Sequence, residues 1–245
     1  MGVSDGHLKV DFMKTSQMVM VPGLLSTAEV YRSQTNAWGG SVLVAETRLD
    51  DTIEGMARRL LERASDRFLL CGHSMGGYVA LEVLRLAPER VSGLALIATS
   101  AWPDTPEQTA LRGRLVQLAQ DRGIEQAAKL LEPKLFAAGT ATEELRRLNI
   151  SMSTEIGTDV FVRQQAAIIG RRDQRPLLAT IGVPTIVVSG TADAVIPAER
   201  SHEMAAAIPA AELVMLVGIG HMVPLEAPQH TDAALATLAA RVAAA

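Results

Sequence analysis

Six short aliphatic runs recur along this chain without polar positions alternating between them: 17–21 (QMVMV), 41–45 (SVLVA), 68–71 (FLLC), 94–98 (LALIA), 185–189 (TIVVS) and 212–217 (ELVMLV). A strand with one wet face alternates apolar and polar side chains. A strand buried on both faces reads as a continuous apolar run, and parallel sheets covered by helices are where such strands occur. The stretches between the runs carry a helical period. Ile53, Met56, Ala57, Leu60, Leu61 and Ala64 follow i, i+3, i+4, i+7, i+8 spacing, and Asp51 followed by Glu54 resembles a capping box at the start of that helix. Helices are also expected over 75–87 and 228–242. Strand alternating with helix predicts an α/β fold built on a mostly parallel, doubly wound sheet.

One interval breaks the alternation. More than 80 residues without a strand-like run separate 94–98 from 185–189. They read as helices near 107–122, 124–136, 143–152 and 159–170. A crossover needs one helix, so residues 104–176 are expected to be a helical cap inserted into a core made of 1–103 and 177–245. The insertion holds 11 basic and 10 acidic residues, a net +1 in a chain of net −4, which leaves −5 for the rest. That small bias hints at an anionic group on a ligand.

Composition removes several function classes. Apolar residues are 48% and charged residues 20% of 245, which is globular and not disordered. Without a basic excess there is nothing to neutralise phosphates, so nucleic acid is not an expected partner. A lone cysteine, Cys71, excludes internal disulfides and a zinc ribbon. Residues 1–14 carry Asp5 and Asp11 and no apolar leader core, and no apolar stretch is long enough for a membrane span. A cytoplasmic protein without membrane contact is expected. No paired-Cys, His-x-x-x-His or P-loop pattern is present, so neither metal nor cofactor is expected.

Gly72-His73-Ser74-Met75-Gly76 matches G-x-S-x-G. Chance alone produces that pattern in roughly one chain of ten at this length, but here it sits between a strand-like run and a helical one. A sharp strand-to-helix turn needs small residues beside the nucleophile and lifts a serine hydroxyl above the sheet at a helix N-terminus, where backbone N–H groups favour negative charge. Serine needs a base. Of five histidines, His221 lies in the loop after the last apolar run, at the sheet edge where Ser74 projects. His73 is expected to turn away from Ser74, His202 to lie on a surface helix, and His7 and His230 to be solvated. The base needs an orienting acid. Asp193, in the turn after 185–189, fits, and Asp104, after the preceding strand, is the alternative. Gly23, after the first run, allows close backbone approach, so the Leu24 and Met75 N–H groups could form an oxyanion hole.

Together these residues resemble the α/β-hydrolase superfamily, in its small cap-bearing esterase and lactonase-like branch. The likeness runs from about Gln17 to the C-terminus and rests on PGLL at 22–25, GHSMGG at 72–77, SGTADAVIP at 189–197 and GIGHMVPLEAP at 218–228. It implies Ser74 as nucleophile, Asp193 as acid and His221 as base. Three features depart from the family pattern. Pro22-Gly23 replaces His-Gly in the first turn. The opening antiparallel strand pair is short of residues. The loop after 41–45 passes almost directly into a helix, which should leave that side of the site open. The expected activity is a cofactor-free serine hydrolase. It would cleave an ester, thioester, lactone or activated amide of a small, mainly aliphatic molecule through an acyl-enzyme on Ser74. A C–C bond hydrolase or a non-hydrolytic ligand receptor is the alternative. Leu25, Met75, Trp102 and Met222 are expected to line the pocket.

Overall fold

A computed structural model describes residues 16–209 and 211–245. All six apolar runs lie in one sheet: β1 Gln17–Val21, β2 Val42–Val44, β3 Phe68–His73, β4 Val91–Ile97, β5 Thr185–Gly190 and β6 Ala211–Leu216. The strand order is β2-β1-β3-β4-β5-β6, and every described pair is parallel. The antiparallel pair considered for the N-terminus lies outside the described residues.

Eight helices of more than one turn accompany the described strands: α1 Arg32–Trp38, α2 Ile53–Arg63, α3 Met75–Leu86, α4 Pro106–Arg122, α5 Ile124–Leu135, α6 Glu143–Ile169, α7 Ala198–Ala207 and α8 Pro228–Ala243. The four inner strands are buried on both faces, as their continuous apolar runs require, and the edge strands β2 and β6 are half buried. Val19, Val21, Phe68, Leu70, Leu94, Leu96 and Val187 pack with α2, α3 and α7 on one side. Met18, Met20, Leu69, Cys71, Ala95, Ile97, Ile186 and Val188 pack with α1 and α8 on the other. The period of two survives as a choice between two cores.

Thr52, and not Asp51, caps α2: its hydroxyl accepts from the Gly55 N–H at 3.0 Å. The helices expected at 143–152 and 159–170 form the single span α6, broken at Gly157, whose φ of 74° and ψ of 171° are non-helical. Positive φ there suits glycine and few other residues.

The segment between β4 and β5 builds a core of its own. Leu115 and Ala119 of α4, Ile124 and Ala127 of α5, and Ile156 and Phe161 of α6 pack together with Leu25 from the turn after β1. The chain leaves β1 outward to β2, then returns on β1's other side as β3, so the direction of winding reverses between β1 and β3. Open parallel sheets bind ligands outside the carboxyl ends of strands at such a point. The β1 turn and the Ser74 turn both sit there.

Candidate active site

β3 runs straight into α3 through Ser74, which has φ 54° and ψ −118°. A non-glycine residue in such a conformation costs about 1–3 kcal/mol and persists only where its surroundings impose it. Those surroundings are specific. The Ser74 N–H donates to the Ile97 carbonyl at 2.9 Å, and the Thr99 hydroxyl donates to the Ser74 carbonyl at 2.7 Å. A side chain at Gly76 would put its Cβ within 2.6 Å of the Val21 carbonyl carbon, and one at Gly72 would meet Gly77 N at 2.7 Å. Serine at a helix N-cap ordinarily accepts from the first turn of its own helix. Ser74 makes no such cap bond, so its Oγ is free to face elsewhere.

It faces His221. Oγ lies 2.9 Å from His221 Nε2, and His221 Nδ1 lies 2.8 Å from Asp193 Oδ2. A carboxylate only accepts, so Nδ1 carries the proton and the Nε2 lone pair is turned to the serine hydroxyl. Asp193 is held in turn: its Oδ1 accepts the Val195 and Ile196 N–H groups at 2.8 and 2.9 Å, and its side chain is wholly buried. Asp104, the alternative acid, is engaged elsewhere. Arg112 Nε and Arg171 Nη1 donate to its two oxygens at 2.6 and 2.7 Å.

The first turn closes against the elbow. A Cβ on Gly23 would sit 3.2 Å from the Ser74 Cβ, so glycine is what permits this approach. Leu25 follows with φ 57°, and its N–H donates to the Gln164 side chain at 3.1 Å. Gln164, fully buried on α6, also reaches the carbonyl and hydroxyl of Thr47 at 3.4 Å each. That bridge covers the loop after β2, so the side expected to be open is packed under α6. Leu24 and Met75 both line the cavity above Ser74.

Two further residues shape the site without a motif to announce them. His73, expected to turn away from Ser74, packs against the base candidate instead: its ring lies 5.2 Å from that of His221, and its Nε2 donates to the His221 carbonyl at 3.0 Å. Burial, with the second imidazole beside it, pushes its pKa down to about 3, so it stays neutral. Glu226 gathers the loop around the histidine. It accepts the Gly220, Met222 and Ala137 N–H groups at 3.1, 3.0 and 2.9 Å, and the Thr140 hydroxyl. The Leu135 carbonyl at the end of α5 adds bonds from His221 N and Met222 N at 2.9 and 3.1 Å. Cys71 is no competing nucleophile, because burial pushes its thiol up to about 12.

A cavity of about 200 Å³ opens above Ser74. Leu25, Trp102 and Met222 line it, joined by Leu115 and Leu131 from α4 and α5. Its walls are not only aliphatic: Arg112, Asn149 and Gln165 also face it.

The sequence profile of the alpha/beta hydrolase family matches residues 23–233. The chain belongs to the α/β-hydrolase family. Within the family, it is 34% identical over 167 residues to a dihydrolipoyllysine-residue acetyltransferase component of an acetoin cleaving system from Pseudomonas putida, covering 66% of this chain and 43% of that protein. The chain thus spans less than half the length of that relative. A pimeloyl-[acyl-carrier protein] methyl ester esterase from Edwardsiella ictaluri is 27% identical, over 75% of this chain and 74% of its own. Among solved structures, a thermophilic esterase from Thermogutta terrifontis, with malate bound, superposes with a TM-score of 0.86 at 25% identity, covering 94% of this chain and 91% of that one. Among the described residues of this α/β-hydrolase, no helix is long and apolar enough to cross a membrane.

Proposed function

We propose that this chain is a cofactor-free serine hydrolase that cleaves a carboxylic ester, thioester, lactone or activated amide of a small molecule in the cytoplasm. Residues 104–176 act as a cap over its site. The observation that carries the reading is the relay of 2.9 and 2.8 Å contacts from Ser74 through His221 to Asp193. Three turns supply these residues, each after a different parallel strand. The methyl ester esterase among the relatives favours an ester over the other bonds.

In this reading Ser74 Oγ attacks the carbonyl carbon while His221 Nε2 takes its proton. Asp193 holds the tautomer and stabilises the imidazolium. The carbonyl oxygen becomes an anion in the tetrahedral adduct, and the Leu24 and Met75 N–H groups receive it at the N-terminus of α3. His221 then gives its proton to the leaving alcohol and the C–O bond breaks. A water, deprotonated by His221, adds to the acyl-enzyme, and collapse of the second adduct returns the proton to Ser74 and releases the acid. Neutral His73 beneath His221 supports the base without placing a second positive charge beside the imidazolium.

A fluorophosphonate probe tests the assignment. It should label one serine, mapped by peptide mass to Ser74, and the same treatment should leave Ser74→Ala unlabelled and without esterase activity. Labelling that persists in Ser74→Ala would move the nucleophile elsewhere.

A further inference from the structure

We propose that the cap end of the cavity is a carboxylate-binding subsite centred on Arg112, so that the substrate is an ester carrying a free carboxylate away from the bond cleaved. This rests on the hydrolase reading for the scissile bond but on separate residues for the carboxylate.

Charge is the first argument. The chain as a whole is net −4, yet the cavity wall holds three guanidinium groups, Arg112, Arg171 and Arg200, against the single carboxylate of Asp104. Arg200 lies near the mouth, stacked on Trp102 and paired with the half-exposed Glu203. That leaves Arg112 and Arg171 sharing Asp104, whose side chain is 2% exposed. One positive charge is uncompensated in a largely dry place, where an opposite charge is worth most.

Donor bookkeeping is the second argument. Arg171 spends three N–H bonds on the Trp102 and Ile168 carbonyls and on Asp104, and its guanidinium is stacked over the Tyr78 ring, so the backbone and an aromatic face fix it in place. Arg112 bonds only side chains among the described residues, those of Asp104 and Gln165. Of the five N–H bonds of a guanidinium, three are used, by Asp104 Oδ2 and Oδ1 and by Gln165 Oε1 at 3.0 Å. Two remain without a partner among the described residues. Because arginine only donates, it fixes the Gln165 amide with oxygen toward itself. The Gln165 NH2 then points away, buried and without a partner, and the NH2 of buried Asn149 is in the same state. Buried polar groups are ordinarily paired. Here every unpaired group beside the cap is a donor, next to an excess positive charge. A group that only accepts, carries negative charge and offers paired oxygens to a guanidinium fits this wall, and a carboxylate has those properties.

The test compares matched esters that differ in one charge. Monomethyl esters from succinic to suberic acid are set against methyl esters of the corresponding ω-amides. Acetate esters of ω-hydroxy acids are set against those of the ω-hydroxy amides, so that the carboxylate is tried on both sides of the bond. At low ionic strength the wild type should favour the charged member of at least one pair by about tenfold or more in kcat/KM, mainly through KM, and added salt should shrink that ratio. Arg112→Gln should bring the ratio close to one, and Arg112→Lys should keep an intermediate value. The lysine variant also carries the test if the glutamine variant does not fold. Equal kcat/KM within every pair overturns the subsite while leaving the hydrolase standing. So does a charge preference untouched in both folded variants. If no ester is turned over, calorimetric titration of Ser74→Ala with glutarate and with its diamide decides the question separately. Arg112-dependent binding of glutarate supports the subsite alone, and equal binding overturns it.

Discussion

Asp193→Asn replaces one oxygen by an amide nitrogen, and the surroundings dictate which way the new side chain turns. Oδ1 accepts two backbone N–H groups, from Val195 and Ile196, and Oδ2 faces one imidazole nitrogen. Placing the NH2 against the backbone would strand the partly buried Ile196 N–H, at about 1–3 kcal/mol, and the more exposed Val195 N–H at a smaller cost. The carbonyl therefore stays with the backbone and the NH2 turns to His221 Nδ1. That nitrogen must now accept, so the proton sits on Nε2 and points at Ser74, where it blocks proton transfer. A preference of about 1–4 kcal/mol suppresses the working tautomer by roughly 5-fold to 10³, and loss of the counter-charge to the imidazolium adds to it. The expected loss in kcat is on the order of 10³–10⁴, with KM little changed. Steady-state hydrolysis of a short nitrophenyl ester reads this, and phosphonate labelling of Ser74 should slow in parallel. The melting temperature should stay near wild type, whereas Asp193→Ala, which strands both backbone donors, should lower it. Activity within tenfold of wild type in Asp193→Asn would refute the tautomer argument.

Other outcomes follow from the same geometry. Gly76→Ala would press a Cβ against the Val21 and Pro22 carbonyls, which are backbone and cannot step aside; a loss of about 3 kcal/mol or more is expected in urea denaturation, and an unchanged midpoint would show that the elbow has slack. Glu226→Gln retains an oxygen for only part of its four donors, so about 1.5–3 kcal/mol of stability should go with it, lowering the melting temperature by several degrees, together with kcat; a fall in stability without a fall in kcat would separate Glu226 from His221. His73 has a pKa of about 3 when folded against an ordinary 6.5, so the unfolded chain binds the extra proton between those values. Its contribution to stability is complete above about pH 6.5 and is lost as the pH falls toward 3, with a slope of up to about 1.4 kcal/mol per pH unit. Denaturation titrations of wild type and His73→Gln should diverge in that window, and parallel curves would contradict the assignment.

The sheet was legible because burial on both faces leaves a strand no polar positions, and the six runs predict all six described strands to within three residues at either end. β2 and β6 are the two edge strands, and their residues are mostly half buried. Ser74, Asp193 and His221 were legible for a related reason. Each follows an apolar run directly, and parallel strands deliver their C-terminal turns to one edge. The part His73 plays was not legible: alternation along β3 turns it off the Ser74 direction, and nothing local shows that His221 returns beside it. Gln164, Glu226 and Arg112 act on residues 139, 89 and 53 positions away, distances over which the chain carries no periodic signal. GIGHMVPLE did hold one cue, a carboxylate five residues after the histidine. The helical segment was readable as helix, but its polar inner wall was not, since Asn149 and Gln165 face inward only once α6 packs over the sheet.

The bonds that Leu135 and Glu226 make to the histidine loop bear on how such a protein can be re-engineered. The segment 104–176 resembles an exchangeable module with an apolar core of its own, beginning in a loop and ending in the one-turn helix 175–178. Yet the stretch from Leu135 to Thr140 supplies the carbonyl that receives His221 N and Met222 N, and the N–H and hydroxyl that anchor Glu226. Transplanting a foreign helical segment across 104–176 would remove the scaffold of the His221 loop along with walls of the cavity. A chimera that exchanges α4 and the far half of α6 while retaining 135–140 leaves that scaffold in place, and so marks where the cavity wall can be redesigned without disturbing the contacts from Ser74 through His221 to Asp193.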